Sequence, residues 1–307
     1  MEFLLKPLAF LLIIFGGYLL KRFGFFKETD YPLITKIVLN ITLPAAVING
    51  FGGFQRDTSL FLIIVLGFMC SLLPLVITFL LSKNMAKERR VFTMINSSGY
   101  NIGCFALPVV QSFFGPAGTV VTCLFDTGNS MIMTGGSYAM TSSLLHTNPG
   151  EKTSVASIIK KLASSIPFDT YMLMLLLAIF NIRIPEGVIT FVSPFASANS
   201  FLAMLMLGLM FKPVSNKLYI KDTILVVVIR LLFSTCFSLF LYRCTPFSLE
   251  IRQILAVVAF APIGSLAPAF TEKCHGDGSL SSFANSISVI VSLIIMTGLV
   301  VAMGITG

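Results

Sequence analysis

The chain has 307 residues, 56% apolar and 11% charged, with a mean hydropathy of +0.93. Soluble domains carry about 25% charged residues, so a soluble enzyme, a nucleic-acid module and a secreted disulfide scaffold are excluded, and the lipid bilayer is the solvent this composition fits. The net charge of +8 then reads as membrane topology, not as a nucleic-acid footprint.

In chain order, apolar runs parted by polar or Gly/Pro punctuation predict ten spans. The first five are Leu4–Leu20, Leu33–Phe51, Leu60–Leu81, Val91–Phe114 and Thr119–Leu145. The second five are Ile166–Ile182, Val188–Phe211, Thr223–Tyr242, Gln253–Phe270 and Ser281–Met303. Glu2, the single early base Lys6 and the lack of a small-residue cleavage site before Lys21-Arg22 mark the first run as a retained span, not a signal peptide.

Basic residues orient these spans. Odd-numbered loops hold Lys21, Arg22 and Lys27; Lys83, Lys87, Arg89 and Arg90; Lys152, Lys160 and Lys161; Lys212, Lys217 and Lys221; and Lys273, with Lys36 at the mouth of the second span. The opposite side holds only Lys6, Arg56, Arg183, Arg243 and Arg252. The positive-inside rule puts the odd loops in the cytoplasm and both termini outside, in a multi-pass protein of the cell membrane. The chain divides into residues 1–146 (spans one to five), a cytoplasmic linker 147–165, and residues 166–307 (spans six to ten). Within the linker, Val155, Ile158, Ile159 and Leu162 fall at helical spacing opposite Lys160 and Lys161, which predicts a short amphipathic helix on the inner leaflet.

The fourth span, Asn96 to Pro108, is unusually polar, and the ninth, Ala259 to Pro268, is rich in helix breakers. Aligning Pro108 with Pro268 puts Gly118 and Gly278 in register before the next apolar run. Five spans per half reverses the orientation of the second half. Short, Gly/Pro-interrupted segments at matching places of inverted halves point to a transporter binding site. Proline removes a donor and clashes with the preceding turn, so the helices are expected to open near Pro108 and Pro268, where freed backbone groups must line a cavity. The expected fold is an all-α integral membrane protein of ten helices, in two inverted five-helix repeats, with broken helices four and nine crossing.

The segments NITLPAAVING (Asn40 to Gly50), NIGCFALPVVQSFFGPAG, LFDTGNS, LAMLMLGLMF and APIGSLAPAF resemble the auxin efflux carrier family, which includes the plant PIN exporters and microbial permeases proposed for malate and other organic acids. The resemblance covers essentially the whole chain. It implies that the broken helices cross at Pro108 and Pro268, that spans one, two, six and seven form a scaffold, and that the others form a moving unit. The short connection between the halves lacks the large cytoplasmic insertion of the PIN members.

Intramembrane polar residues supply the candidate site. Asp126 lies about 12 Å past Gly118 at 1.5 Å per residue, and a carboxylate there is a functional candidate for substrate or proton handling. The resemblance supports that role, because an acid followed by Asn recurs there in microbial members. Asn129, three residues on, faces the same side. Arg230 is similarly deep and has three readings: snorkelling to the interface, neutralising an organic anion, or pairing with Asp126. Asn101, Gly103, Pro108, Gly264, Ser265 and Pro268 complete the binding candidates at the breaks. Asn40, Thr42, Pro44 and Asn285 form a secondary set in which interhelical hydrogen bonding is the competing reading. Glu272, Lys273, His275 and Asp277 are expected in a solvated inner loop. Asp126-Thr127-Gly128 mimics an aspartic-protease signature, but that chemistry needs a second carboxylate copy, and the chain has none.

Six scattered cysteines give no metal-ligand spacing, and no HExxH, GxSxG, P-loop or GxGxxG motif occurs. The expected function is alternating-access transport of a small organic anion without an enzymatic step. No cofactor is expected beyond H+ or Na+ as coupling ion, and a homodimer is one assembly open to it. The alternatives are an ion-coupled carrier of another solute and a non-transporting sensor with the same fold.

Overall fold

The computed structural model describes residues 5–27, 29–52, 61–148, 155–211 and 217–305. The expected ends Leu4 and Leu60, the charges Glu2, Arg56, Lys152 and Lys212, and the centre of the linker lie outside these residues. The described residues form helices and turns, plus one isolated antiparallel bridge between Tyr100 and Ile263.

The first half begins with α1 (Leu5–Arg22) and α2 (Tyr31–Ile37), which runs through a π-helical stretch, Val38–Thr42, into α3 (Leu43–Phe51). After α4 (Phe61–Leu81) and α5 (Lys87–Ser97) the chain opens, then re-forms as a second π stretch, Ile102–Ala106, leading into α6 (Leu107–Met131). A third π stretch, Ile132–Gly136, joins α6 to α7 (Ser137–Leu145). The second half comprises α8 (Val155–Leu162), α9 (Ile166–Ile179), α10 (Glu186–Met210), α11 (Lys217–Cys244), α12 (Leu249–Val258), α13 (Ala267–Lys273) and α14 (Gly278–Ala302).

Among the described residues, six helical stretches are long and apolar enough to cross a membrane, or seven if α8 and α9, bent 82° from each other, act as one. Several helices fall short of that measure for plain reasons. α1 carries Lys6, Lys21 and Arg22 within its 18 residues. α9 has 14 residues, about 21 Å at 1.5 Å per residue. The α12–α13 segment is interrupted between Ala259 and Leu266. The expected fourth span is split: its start lies on α5, and its remainder, from Ile102, is continuous with the expected fifth span in one 44-residue helical stretch, Ile102–Leu145, bent where Gly115 takes a φ of 56° before Pro116. Leu8, Leu12 and Phe15 on α1, Phe191 on α10 and Leu232 on α11 are all exposed, as side chains that meet lipid tails would be. The amphipathic linker helix is present as α8: Leu162 is buried and Ile158 approaches Gly135.

Two helix pairs pack through glycine. Gly17 of α1 and Gly208 of α10 face each other so closely that a Cβ on Gly208 would sit 3.0 Å from the Gly17 Cα. Gly67 of α4 and Gly128 of α6 likewise lie against the partner helix backbone, at the Phe125 and Ile64 carbonyls. Small residues let helix backbones approach where lipid supplies no hydrophobic drive between helices.

Candidate functional site

Proline was expected to open the helices at Pro108 and Pro268; instead the openings lie upstream, at residues 98–101 and 259–266. Pro268 is the second residue of α13, where a missing N–H costs no helical bond, whereas Pro108, the second residue of α6, follows directly on the π stretch of a continuous helical run. The π stretch Ile102–Ala106 absorbs the misfit ahead of Leu107-Pro108, and Val38–Thr42 stands in the same relation to Leu43-Pro44. The true breakers are Gly99, at φ 65°, and Pro262, which lacks the donor an uninterrupted helix would need. The two broken segments meet at the Tyr100–Ile263 bridge, with Asn101 N–H donating to the Pro262 carbonyl at 3.0 Å. A proline-on-proline alignment of the halves is thus offset from the register in which they touch.

Three side chains satisfy the opened backbone. Asn129 accepts from Tyr100 N–H and donates to the Tyr100 carbonyl, each at 2.9 Å, so its amide mimics a β-partner. It also accepts from the Ser71 hydroxyl and donates to Asp126 Oδ1 at 2.8 Å. Arg230, on α11 and 6% exposed, donates to the carbonyls of Asn96, Gly99, Ala261 and Pro262 at 3.0–3.2 Å. Its guanidinium lies 5.0 Å from the centre of the Tyr100 ring. The Tyr100 hydroxyl donates, at a long 3.5 Å, to the Cys70 carbonyl, which Pro74 in α4 leaves without its helical donor. Arg230 therefore neither snorkels nor pairs with Asp126. In the second opening, Ser288 also accepts from Ile263 N–H at 3.1 Å.

Asp126 is 7% exposed. Its second oxygen accepts from the hydroxyl of Tyr171 on α9 at 3.0 Å. Gly103 packs over this pair: a Cβ there would sit 3.2 Å from the Tyr171 hydroxyl and 3.5 Å from Asp126 Oδ2. Tyr171 and Ser71 were not read from the sequence. A tyrosine in the apolar run of α9 was the available signal, since a buried phenol needs a hydrogen-bond partner. A second polar node joins α5, α13 and α14: Asn96 donates to Thr271 and accepts from Ser281.

A cavity of about 930 Å³ lies between α1, α2 and α10 on one wall and α13, α14 and Ser265, in the turn before α13, on the other. Its mouth carries Lys21, Arg22, Glu272 and Asp277, and it reaches inward to Ile14, Ser265 and Val289. Lys21 donates to the Leu209 and Phe211 carbonyls at the end of α10. The Asp277 carboxylate caps α14 through Leu280 N–H and accepts from the Tyr219 hydroxyl. His275, expected in the solvated loop, meets the Asn148 amide oxygen at 3.0 Å.

Of the sequence candidates, Ser265, Pro268 and Asn285 line this cavity. Asn285 is 8% exposed, and its side-chain oxygen Oδ1 has no hydrogen-bond partner. Asp126, Asn129, Arg230, Asn101, Gly103, Pro108 and Gly264 belong instead to the crossing and the packing behind it. The Asn101 side-chain nitrogen Nδ2 there has no partner. In the secondary set, Thr42 donates to Asn199 at 2.9 Å as an interhelical bond, Pro44 is buried in the α3 core, and Asn40 is exposed away from the cavity.

A sequence model described as a membrane transport protein matches residues 3–300. An uncharacterized transporter of Methanothermobacter thermautotrophicus is 24% identical over 295 residues, covering 94% of each chain. Another, from Methanocaldococcus jannaschii, is 27% identical over 249 residues, covering 76% of this chain and 77% of its own.

Proposed function

Because this chain belongs to the membrane transport protein family, the family of the auxin efflux carriers it resembles, we propose that it is a secondary transporter moving a small organic anion by alternating access. The observation that carries the proposal is the cavity that runs from a mouth of mixed charge, with Arg22 on it, to Ser265, beside the place where two broken helices meet. Binding sites of such carriers sit between repeats, where irregular backbone is enclosed by protein. In this reading the ten spans form two inverted repeats. The pair α1–α10 belongs to the scaffold, and α4–α6 belongs to the moving unit. Ser265, Asn285 and Arg22 contact the substrate, with both termini outside the cell membrane and the cavity open to the cytoplasm.

Asp126 is the coupling group in this proposal. Its carboxylate accepts from both Asn129 and Tyr171. When protonated it would instead donate to the phenol oxygen, since a hydroxyl serves as donor or acceptor by rotation. The Tyr171 hydroxyl thus accommodates both protonation states without moving the helices.

A polar neutral solute is the second reading, favoured by the hydroxyl and amide lining of Ser265, Ser282, Asn285 and Ser286. Uptake into proteoliposomes of labelled mono- and dicarboxylates and a labelled polyol, under separate proton and sodium gradients, decides between the two. Carboxylate accumulation driven by the proton gradient is expected. Accumulation of the polyol alone favours the second reading, and no uptake of any solute overturns both.

A further inference from the structure

The half-helices α5 and α12 both end at the crossing. Each brings the carbonyl-rich, negative end of its dipole to the same place. In carriers with broken helices such ends are where coupling cations are held. Here the place is filled from within the chain. Arg230 reaches in from α11 and bonds two carbonyls from each broken segment, Asn96 and Gly99 on one side and Ala261 and Pro262 on the other. The ring of Tyr100 covers one face of the guanidinium. Among the described residues no carboxylate forms an ion pair with it, the Arg89–Asp222 pair being elsewhere. The counter-charge of this cation is therefore the converging backbone itself.

We propose that Arg230 is a tethered cation that occupies the ion position of the crossing, holding the two broken segments together so that the crossing binds no sodium. Arg230 is a positioning residue: it touches the backbone of the break, not the cavity. The planar fork of five donors suits four carbonyls spread over two chains, whereas the three donors of a lysine ammonium leave at least one unsatisfied. Coupling then falls to Asp126, a point that rests on the transport reading above, whereas the cation role itself does not.

The test uses the purified full chain in detergent and needs no substrate. Wild-type protein should melt at the same temperature in sodium chloride and in choline chloride of equal ionic strength. Arg230→Ala should melt about 5–10 °C lower, because four buried carbonyls lose their donors. Millimolar guanidinium chloride should restore part of that loss, as a ligand that binds only the folded state does. Equimolar urea or choline should not, whereas a residue that merely packs would gain nothing from the ion. Arg230→Lys should melt between the two, and it keeps the test readable should the alanine variant fail to fold. Sodium-specific stabilisation of the wild type, wild-type melting of Arg230→Ala, or equal behaviour of that variant in guanidinium and choline would each overturn the proposal. Failure of the proteoliposome assay would leave these melting results standing, so the two readings fail separately.

Discussion

Asp126 and Asn129 illustrate how far single residues were legible. Their i, i+3 spacing correctly put them side by side, because helical periodicity is local. Their other partners, Ser71 and Tyr171, come from α4 and α9, and no local pattern announces such a meeting. The same limit applied to Arg230. A buried charge calls for compensation, and the nearest titratable candidate was a carboxylate, yet four backbone carbonyls serve equally well. Two predictions belong at this scale. Asp126→Asn should change stability by less than about 1 kcal/mol, since the new amide can accept from Asn129 and donate to the phenol oxygen of Tyr171. It should abolish proton-driven accumulation while leaving substrate exchange, as counterflow in proteoliposomes would show. Unchanged accumulation would make the carboxylate structural. Asn129→Ala removes four hydrogen bonds at once, two of them to the backbone of the break, and should lower unfolding stability by about 3 kcal/mol, read from denaturant titration in detergent.

At the scale of elements, apolar runs located most helices and their ends. Bends such as Gly115 were visible as Gly-Pro punctuation. The breaks were displaced because proline is an ambiguous signal. Pro268 begins a helix and Pro108 is accommodated behind a π stretch, whereas Gly99 and Pro262 interrupt helices, and the difference depends on which side chains are at hand to bond the freed backbone. Met133 is one further device the sequence did not reveal. Its thioether lies against Gly99 and Gly264, with a Cβ on Gly99 falling 2.8 Å from the sulfur, so one flexible side chain fills the space behind both strands of the crossing. Gly264→Ala should therefore cost about 1–3 kcal/mol by overpacking, and Met133→Ala should relieve most of that cost in the double variant. Gly99→Ala should resist the same rescue, because its φ of 65° penalises any Cβ by about 1–2 kcal/mol. A double-mutant cycle on melting temperature separates the two cases. Equal rescue at both positions would show that space alone decides.

For the molecule as a whole, the two ends of the interface between α1, α3 and α10 and the α6, α13 and α14 helices differ. At the Lys21–Asp277 end the walls part into the cavity. At the opposite end they are in contact: Lys6 of α1 donates to the Ser112 carbonyl of α6 at 2.8 Å, and Gly50 of α3 lies against Thr119, where a Cβ would fall 2.6 Å from the threonine Cβ. Alternating access requires a second state in which these contacts open and the cavity closes, and any change that acts on only one state shifts the balance. Gly50→Ala places a methyl group into the closed contact and has nothing to clash with once α3 and α6 separate. An overlap costing about 1.4 kcal/mol, within the usual range for overpacking, would move the ratio of the two states about tenfold. A cysteine replacing Ser282 on the cavity wall reports the occupancy of the cavity-open state, in a chain whose six native cysteines have been replaced. Its labelling by a membrane-impermeant maleimide from the proposed cytoplasmic face should slow in the Gly50→Ala background, and a cysteine replacing Ser112 should become reactive from the other face. Opposite shifts at the two reporters are the signature of a rocking carrier. Slower labelling at Ser282 with no gain at Ser112 would mean that Gly50→Ala only compacts the cavity, and the two ends would then not be coupled.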